Sequence, residues 1–157
     1  VPPTGILGAT MKIALTEPAF FDRQGRATRG EYTPEALQTI RDVYYSPETG
    51  TDDLIRFGRF FQSESRRAIL DLTLLAMRMR LRRASLPVLV IGGQADALFP
   101  PAGLPFTAAR WRADVAVIPR AGHTLMLDAH WQAAAERIAG WIEQALRRTA
   151  TPTSGAG

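Results

Sequence analysis

Two short apolar runs in the second half of the chain decide what it can fold into. Leu86-Pro87-Val88-Leu89-Val90-Ile91-Gly92-Gly93 and Asp114-Val115-Ala116-Val117-Ile118-Pro119 are rich in β-branched residues and bounded by Pro, Gly and Asp. The first is apolar without alternation. That is the pattern of a strand buried on both faces, as in a parallel sheet covered by helices. Between them Pro100-Pro101 precedes a helical stretch ending near Trp111. Strand, helix, strand with short connections implies parallel strands joined by a right-handed crossover. A long amphipathic helix follows. Asp128 is expected to cap it, and Trp131, Ala135, Ile138, Ile142 and Ala145 recur at helical spacing. The expected class is α/β.

Upstream the period is helical. Thr33-Pro34-Glu35 reads as an N-cap, a proline at N1 and an acid in the first turn. Leu37, Ile40, Val43 and Tyr44 then share a face, and Ser46-Pro47 stops the helix. Thr51-Asp52 opens a second helix with Leu54, Ile55, Phe57, Phe60 and Phe61. Ser63 or Ser65 opens a third, with Ile69, Leu70, Leu72, Leu74, Leu75 and Met77. Before them, Phe20-Phe21 reads as an aromatic anchor and Asp22-Arg23-Gln24-Gly25 as a turn. The expected division is 1–10 as a Pro/Gly-rich lead-in, 11–84 as a helical region, 85–148 as the strand–helix region and 149–157 as a disordered tail.

Composition removes several classes of function. The chain has 157 residues and no Cys, which excludes disulfides, thiolate metal sites and a cysteine nucleophile. No apolar run approaches a membrane span, so no stable membrane insertion is expected, and a cytoplasmic location is the expectation. The formal net charge is +4. Lys12 is the sole lysine, and the arginines are interspersed with 15 acids, so the charge reads as compositional bias and no nucleic-acid partner is expected. Val1-Pro2-Pro3 carries no initiator Met and no signal-type apolar core, which suggests a chain cut from something longer.

Ligands in parallel α/β sheets bind beyond the carboxyl ends of the strands. Asp96 follows the first strand in Gly92-Gly93-Gln94-Ala95-Asp96, and His123 follows the second in Pro119-Arg120-Ala121-Gly122-His123. Taken singly, an Asp after a strand is a turn residue and a lone His is structural. Adjacent parallel strands bring the two together. A carboxylate beside an imidazole fixes its tautomer and stabilises the imidazolium formed when it takes a proton.

LPVLVIGGQADALFPP followed by DVAVIPRAGHTLMLD and an amphipathic helix resembles the closing segment of the α/β-hydrolase fold family. The resemblance covers residues 86–146 and is weaker over 1–83. It implies an incomplete α/β-hydrolase fold in which 1–10 ends a core strand and leads to the cap. Residues 11–84 would be the helical cap, and 85–148 the last two strands and last helices of the core. It also implies Asp96 and His123 as the acid and base of a catalytic triad, no cofactor and no metal. The implied activity is hydrolysis of a small or medium apolar carboxylic ester. The family's Gly-x-Ser-x-Gly elbow is absent: none of Ser46, Ser63, Ser65, Ser85 and Ser154 sits between glycines in that pattern. The nucleophile would therefore come from an N-terminal remainder of the same enzyme, the expected partner of this chain. Epoxide hydrolases, dehalogenases and C–C bond hydrolases share the scaffold, and a non-catalytic binding protein on it is the alternative of another class.

Other signals are weaker. Phe20, Phe21, Tyr44, Phe57, Phe61 and Leu98 are candidates for a substrate pocket, with part of the aromatic set expected to hold the helices together. His130 reads as a surface residue in a first helical turn, since no spacing around it matches a metal motif. Arg82-Arg83-Ala84-Ser85 matches a short basophilic kinase motif, but Ser85 runs straight into the first strand. The Arg-rich stretch 78–83 reads as the solvated end of a helix.

Overall fold

The structure is a computed structural model, and it describes residues 5–60, 65, 67 and 85–150. Four helices come first: α1 (Gly5–Thr16), α2 (Phe20–Thr28), α3 (Pro34–Tyr44) and α4 (Thr51–Gly58). Then follow β1 (Leu89–Gly93), a 3-10 turn (Pro101–Gly103) continuing into α5 (Leu104–Trp111), β2 (Asp114–Ile118) and α6 (Trp131–Ala150). The expected third upstream helix falls on 63–77, outside the described residues apart from Ser65 and Arg67, and the expected tail 151–157 is also outside them. No helix among the described residues is long and apolar enough to cross a membrane.

The chain is α/β, with β1 and β2 forming a two-stranded parallel sheet in which Leu89 pairs with Asp114 and Gly93 with Ile118. Leu86 to Val88, expected in the strand, precede it, with Leu86 in a bend, although the Val88 carbonyl still accepts from Asp114 N at 2.9 Å. Helix α5 packs on both strands and α6 on β2. Along β2, Ala116 and Ile118 are buried while Val115 and Val117 are exposed. Leu89, Val90 and Ile91 of β1 are half-buried, and Gly92 and Gly93 are buried.

Helix α6 meets the sheet through a different strip from the one its periodicity suggests. Ala134 and Ala145 are buried and Trp141 is half-buried, whereas Trp131, Ala135, Ile138 and Ile142 are exposed. A two-stranded sheet covers only a narrow stripe of a helix, and small residues on that stripe let the backbones approach. Asp114 fixes the helix in place: its Oδ2 accepts from Trp141 Nε1 at 2.6 Å and from Arg148 Nη2 at 2.9 Å.

Two expectations about the N-terminal region give way. Residues 5–10 belong to α1 and are neither strand exit nor irregular lead-in, and Phe20 to Gly25 begin α2 and form no turn. Gly5, Gly8 and Gly25 depress helix propensity by about 1 kcal/mol each relative to Ala, but tertiary burial outweighs this. Ile13, Phe20 and Val43 form one core cluster and Ala27, Leu37, Ile40, Tyr45 and Leu54 another. Helix α3 begins as its sequence predicts, with Thr33 Oγ1 accepting from Ala36 N at 3.2 Å.

The helices lie against the loops beyond the strands. Leu98, in the loop after β1, packs against the Ile13–Phe20–Val43 cluster, and Leu127, after β2, packs against the other cluster.

Candidate active site

The loops after β1 and β2 are laced together before the chain reaches Asp96 in one and His123 in the other. Gln94 N donates to Ile118 O and Ala95 N to Ala121 O, both at 2.9 Å. A side chain at 93 would overlap the carbonyl oxygens of Ala121 and Gly122, so only glycine lets the loops come this close. Gly122 has the same role against the helical region, where a Cβ would lie 2.5 Å from Tyr45 C and 2.8 Å from Ser46 N. Arg120 makes the intervening turn with φ 60°, a strained value for a residue with a Cβ. Its N–H donates to Gln94 Oε1 at 3.1 Å.

This lacing brings Asp96 and His123 together. His123 Nδ1 lies 2.9 Å from Asp96 Oδ2. A carboxylate only accepts, so the proton of this bond sits on Nδ1, and neutral His123 presents an unprotonated Nε2. Asp96 is buried, and its other oxygen is held by Leu98 N at 2.9 Å and Phe99 N at 2.8 Å. Both carboxylate oxygens are thus committed, and the carboxylate has little freedom to rotate. The imidazole is confined by rings of Phe99, at 5.4 Å between centroids, and Tyr44, at 6.2 Å. Its side chain keeps 30% exposure, and Nε2 has no hydrogen-bond partner among the described residues. Such an arrangement can serve as an oriented base, a proton acceptor whose second nitrogen is held by a carboxylate.

Asp96 and His123 line a cleft of about 210 Å³ together with Val90, Ile91, Phe99, Leu104 and Leu125. That is below the ~300 Å³ lower end of ordinary ligand pockets, so it suits a small, largely apolar group. Of the residues expected to line a pocket, none of those described lines this cleft. Phe20 is core, Phe21 is half-exposed and packs edge-on against Phe20 at 5.3 Å, and Leu98 packs into the helical core. Phe57 supports the core cluster of α2 to α4 and faces a separate groove with Met126 and Trp131. Tyr44 is near the His123 ring but does not line the cleft, and Phe61 lies outside the described residues. Among the described residues the cleft is formed by β1, Phe99, α5 and Leu125.

Asp128 and His130, which follow His123, both lie deeper than their sequence positions suggest. Asp128 is no ordinary cap of α6: it is 1% exposed, and its Oδ2 accepts from Ser46 N at 2.6 Å and Gly122 N at 3.2 Å. His130 is mostly buried in the turn before α6, with Nε2 3.5 Å from Glu48 Oε2. Beside them, burial pushes the Tyr45 phenol above its ordinary value; the nearby Thr124 hydroxyl opposes this and the Asp128 carboxylate reinforces it. Ser46 is buried with its hydroxyl 3.2 Å from Thr49 Oγ1, and Thr124 Oγ1 donates to Tyr44 O at 2.8 Å, so neither hydroxyl is presented to His123. No group of three or more His, Asp or Glu among the described residues is placed to hold a metal.

No protein-family model, curated protein or solved structure matches the chain.

Proposed function

We propose that this chain carries the acid–base part of an α/β-hydrolase active site, in an enzyme that hydrolyses small or medium apolar carboxylic esters. The observation that carries the reading is the 2.9 Å bond from His123 Nδ1 to Asp96 Oδ2, between two residues that follow the carboxyl ends of adjacent parallel strands. In this scheme Nε2 of His123 takes the proton of a nucleophile hydroxyl as its oxygen attacks the ester carbonyl. Asp96 orients the ring and stabilises the imidazolium. The same proton passes to the departing alkoxide. A water then attacks the acyl intermediate, losing its proton to Nε2, and the nucleophile recovers a proton when the acid leaves.

The nucleophile is assigned to residues outside these 157, since no Gly-x-Ser-x-Gly elbow occurs in them and the Ser46 and Thr124 hydroxyls are engaged elsewhere. The test is labelling of the full gene product with a fluorophosphonate probe, which captures a serine activated by a neighbouring base. The expected result is one labelled serine outside the present sequence, with labelling abolished by His123→Ala. A label that His123→Ala leaves intact contradicts the proposal. An esterase-inactive, unlabelled product that opens epoxides or carbon–halogen bonds in a His123-dependent way moves the assignment to an Asp nucleophile on the same scaffold.

A further inference from the structure

We infer that Asp128 is a positioning residue for His123, acting through the backbone on both sides of the imidazole. The inference rests on the reading of Asp96 and His123 as an acid–base pair. A capping Asp before a helix is ordinarily exposed and spends its side chain on that helix's own N–H groups. Asp128 departs from this in two ways. It is 1% exposed, and no Lys or Arg is paired with it among the described residues. Only Oδ1 serves the local turn, accepting from His130 N at 3.0 Å. Oδ2 accepts from Gly122 N, immediately before His123, and from Ser46 N, which follows α3. Immediately after His123, Thr124 donates to Tyr44 O from both its N–H and its Oγ1, at 2.9 and 2.8 Å.

His123 is therefore bracketed. The residue before it is tied through Asp128 to Ser46, and the residue after it is tied directly to Tyr44. Burying an unpaired carboxylate is costly unless hydrogen bonds replace its hydration. Three backbone N–H donors do so here, and two of them join segments far apart in the chain. The loop bearing His123 thereby moves as one unit with the end of α3, and Asp128 sets the ring's approach to Asp96 without touching it.

All three donors are N–H groups, so an amide at 128 must turn its own NH2 toward at least one of them. The experiment follows the His123 Nδ1 proton by NMR in the full chain, comparing the unaltered protein with Asp128→Asn, Asp128→Glu and Asp96→Asn. The expected result for Asp128→Asn is a folded amide spectrum with the Nδ1 proton lost or exchanging roughly tenfold faster. Asp128→Glu, which keeps the carboxylate, should restore the signal in part. An unchanged Nδ1 proton in folded Asp128→Asn overturns the proposal. Should Asp128→Asn not fold, hydrogen exchange on the unaltered chain decides. The Gly122 and Ser46 amides must open with the His123 Nδ1 proton over the same denaturant range, and a His123 proton that exchanges while those amides stay protected overturns it. If Asp96→Asn leaves the Nδ1 proton untouched, the acid–base pair itself fails and the positioning role falls with it, which separates that failure from a fault in Asp128 alone.

Discussion

Gly93 lies so close to Ala121 that a methyl group on its Cα would overlap the Ala121 carbonyl oxygen. This contact holds the loop that carries Asp96 against the loop that carries His123. Gly93→Ala is expected to destabilise the chain by about 3 kcal/mol, since the obstacle is backbone and cannot swing aside. It should also break the His123–Asp96 bond. Denaturant melts and the His123 Nδ1 resonance measure the two effects.

Arg120 turns the chain toward His123 at φ 60°. A residue with a Cβ is strained there and glycine is not. Arg120→Gly is expected to raise stability by about 0.5–1 kcal/mol. The ion pair it loses, 3.7 Å to Glu48, is exposed and contributes little. A lowered midpoint on denaturation would show that the Arg120 side chain matters more than its backbone.

Asp114 links β2 to α6, and the indole N–H of Trp141, with Arg148 second, holds its carboxyl below the ordinary 3.8. A folded value lower than the unfolded one gives stability that is present above 3.8 and disappears as pH falls through the lowered value. Asp114→Asn should therefore cost stability at neutral pH, and the gap to the unaltered protein should close in acid. Thermal melts at several pH values, read by tryptophan fluorescence, check this. A gap that stays constant into strong acid contradicts it.

Ile40 is fully buried between α2, α3 and α4, in the cluster that also holds Tyr45. Ile40→Ala is expected to cost about 3 kcal/mol through lost burial and the cavity it leaves. Equilibrium unfolding in urea measures the loss.

The strands and the Asp96–His123 pair were legible because they depend on local chemistry. Short β-branched runs specify strands, although Leu89 to Ile91 are only half-buried and Val115 and Val117 are exposed, and Gly93 and Gly122 mark places where no side chain fits. The helical character of 11–84 was legible, but the start of α1 at Gly5 and of α2 at Phe20 was not, since the glycines and the proline-rich start argue against helix there. Among the described residues the cleft beside His123 is lined by residues of β1 and α5 with Phe99 and Leu125, which carry no distinguishing signal in the sequence. The double role of Asp128 had no signal in the sequence: its partner Ser46 lies 82 residues away.

The most direct measurement is turnover of short acyl esters by the 157-residue chain alone and by the full gene product, each with and without His123→Ala. The account expects no turnover from the chain alone. It expects His123-dependent turnover from the full product, with kcat reduced by roughly 10⁴ in Asp96→Asn. Ester hydrolysis by the chain alone that vanishes in His123→Ala would place the nucleophile within these residues. Turnover by the full product that is indifferent to His123→Ala would contradict the account altogether.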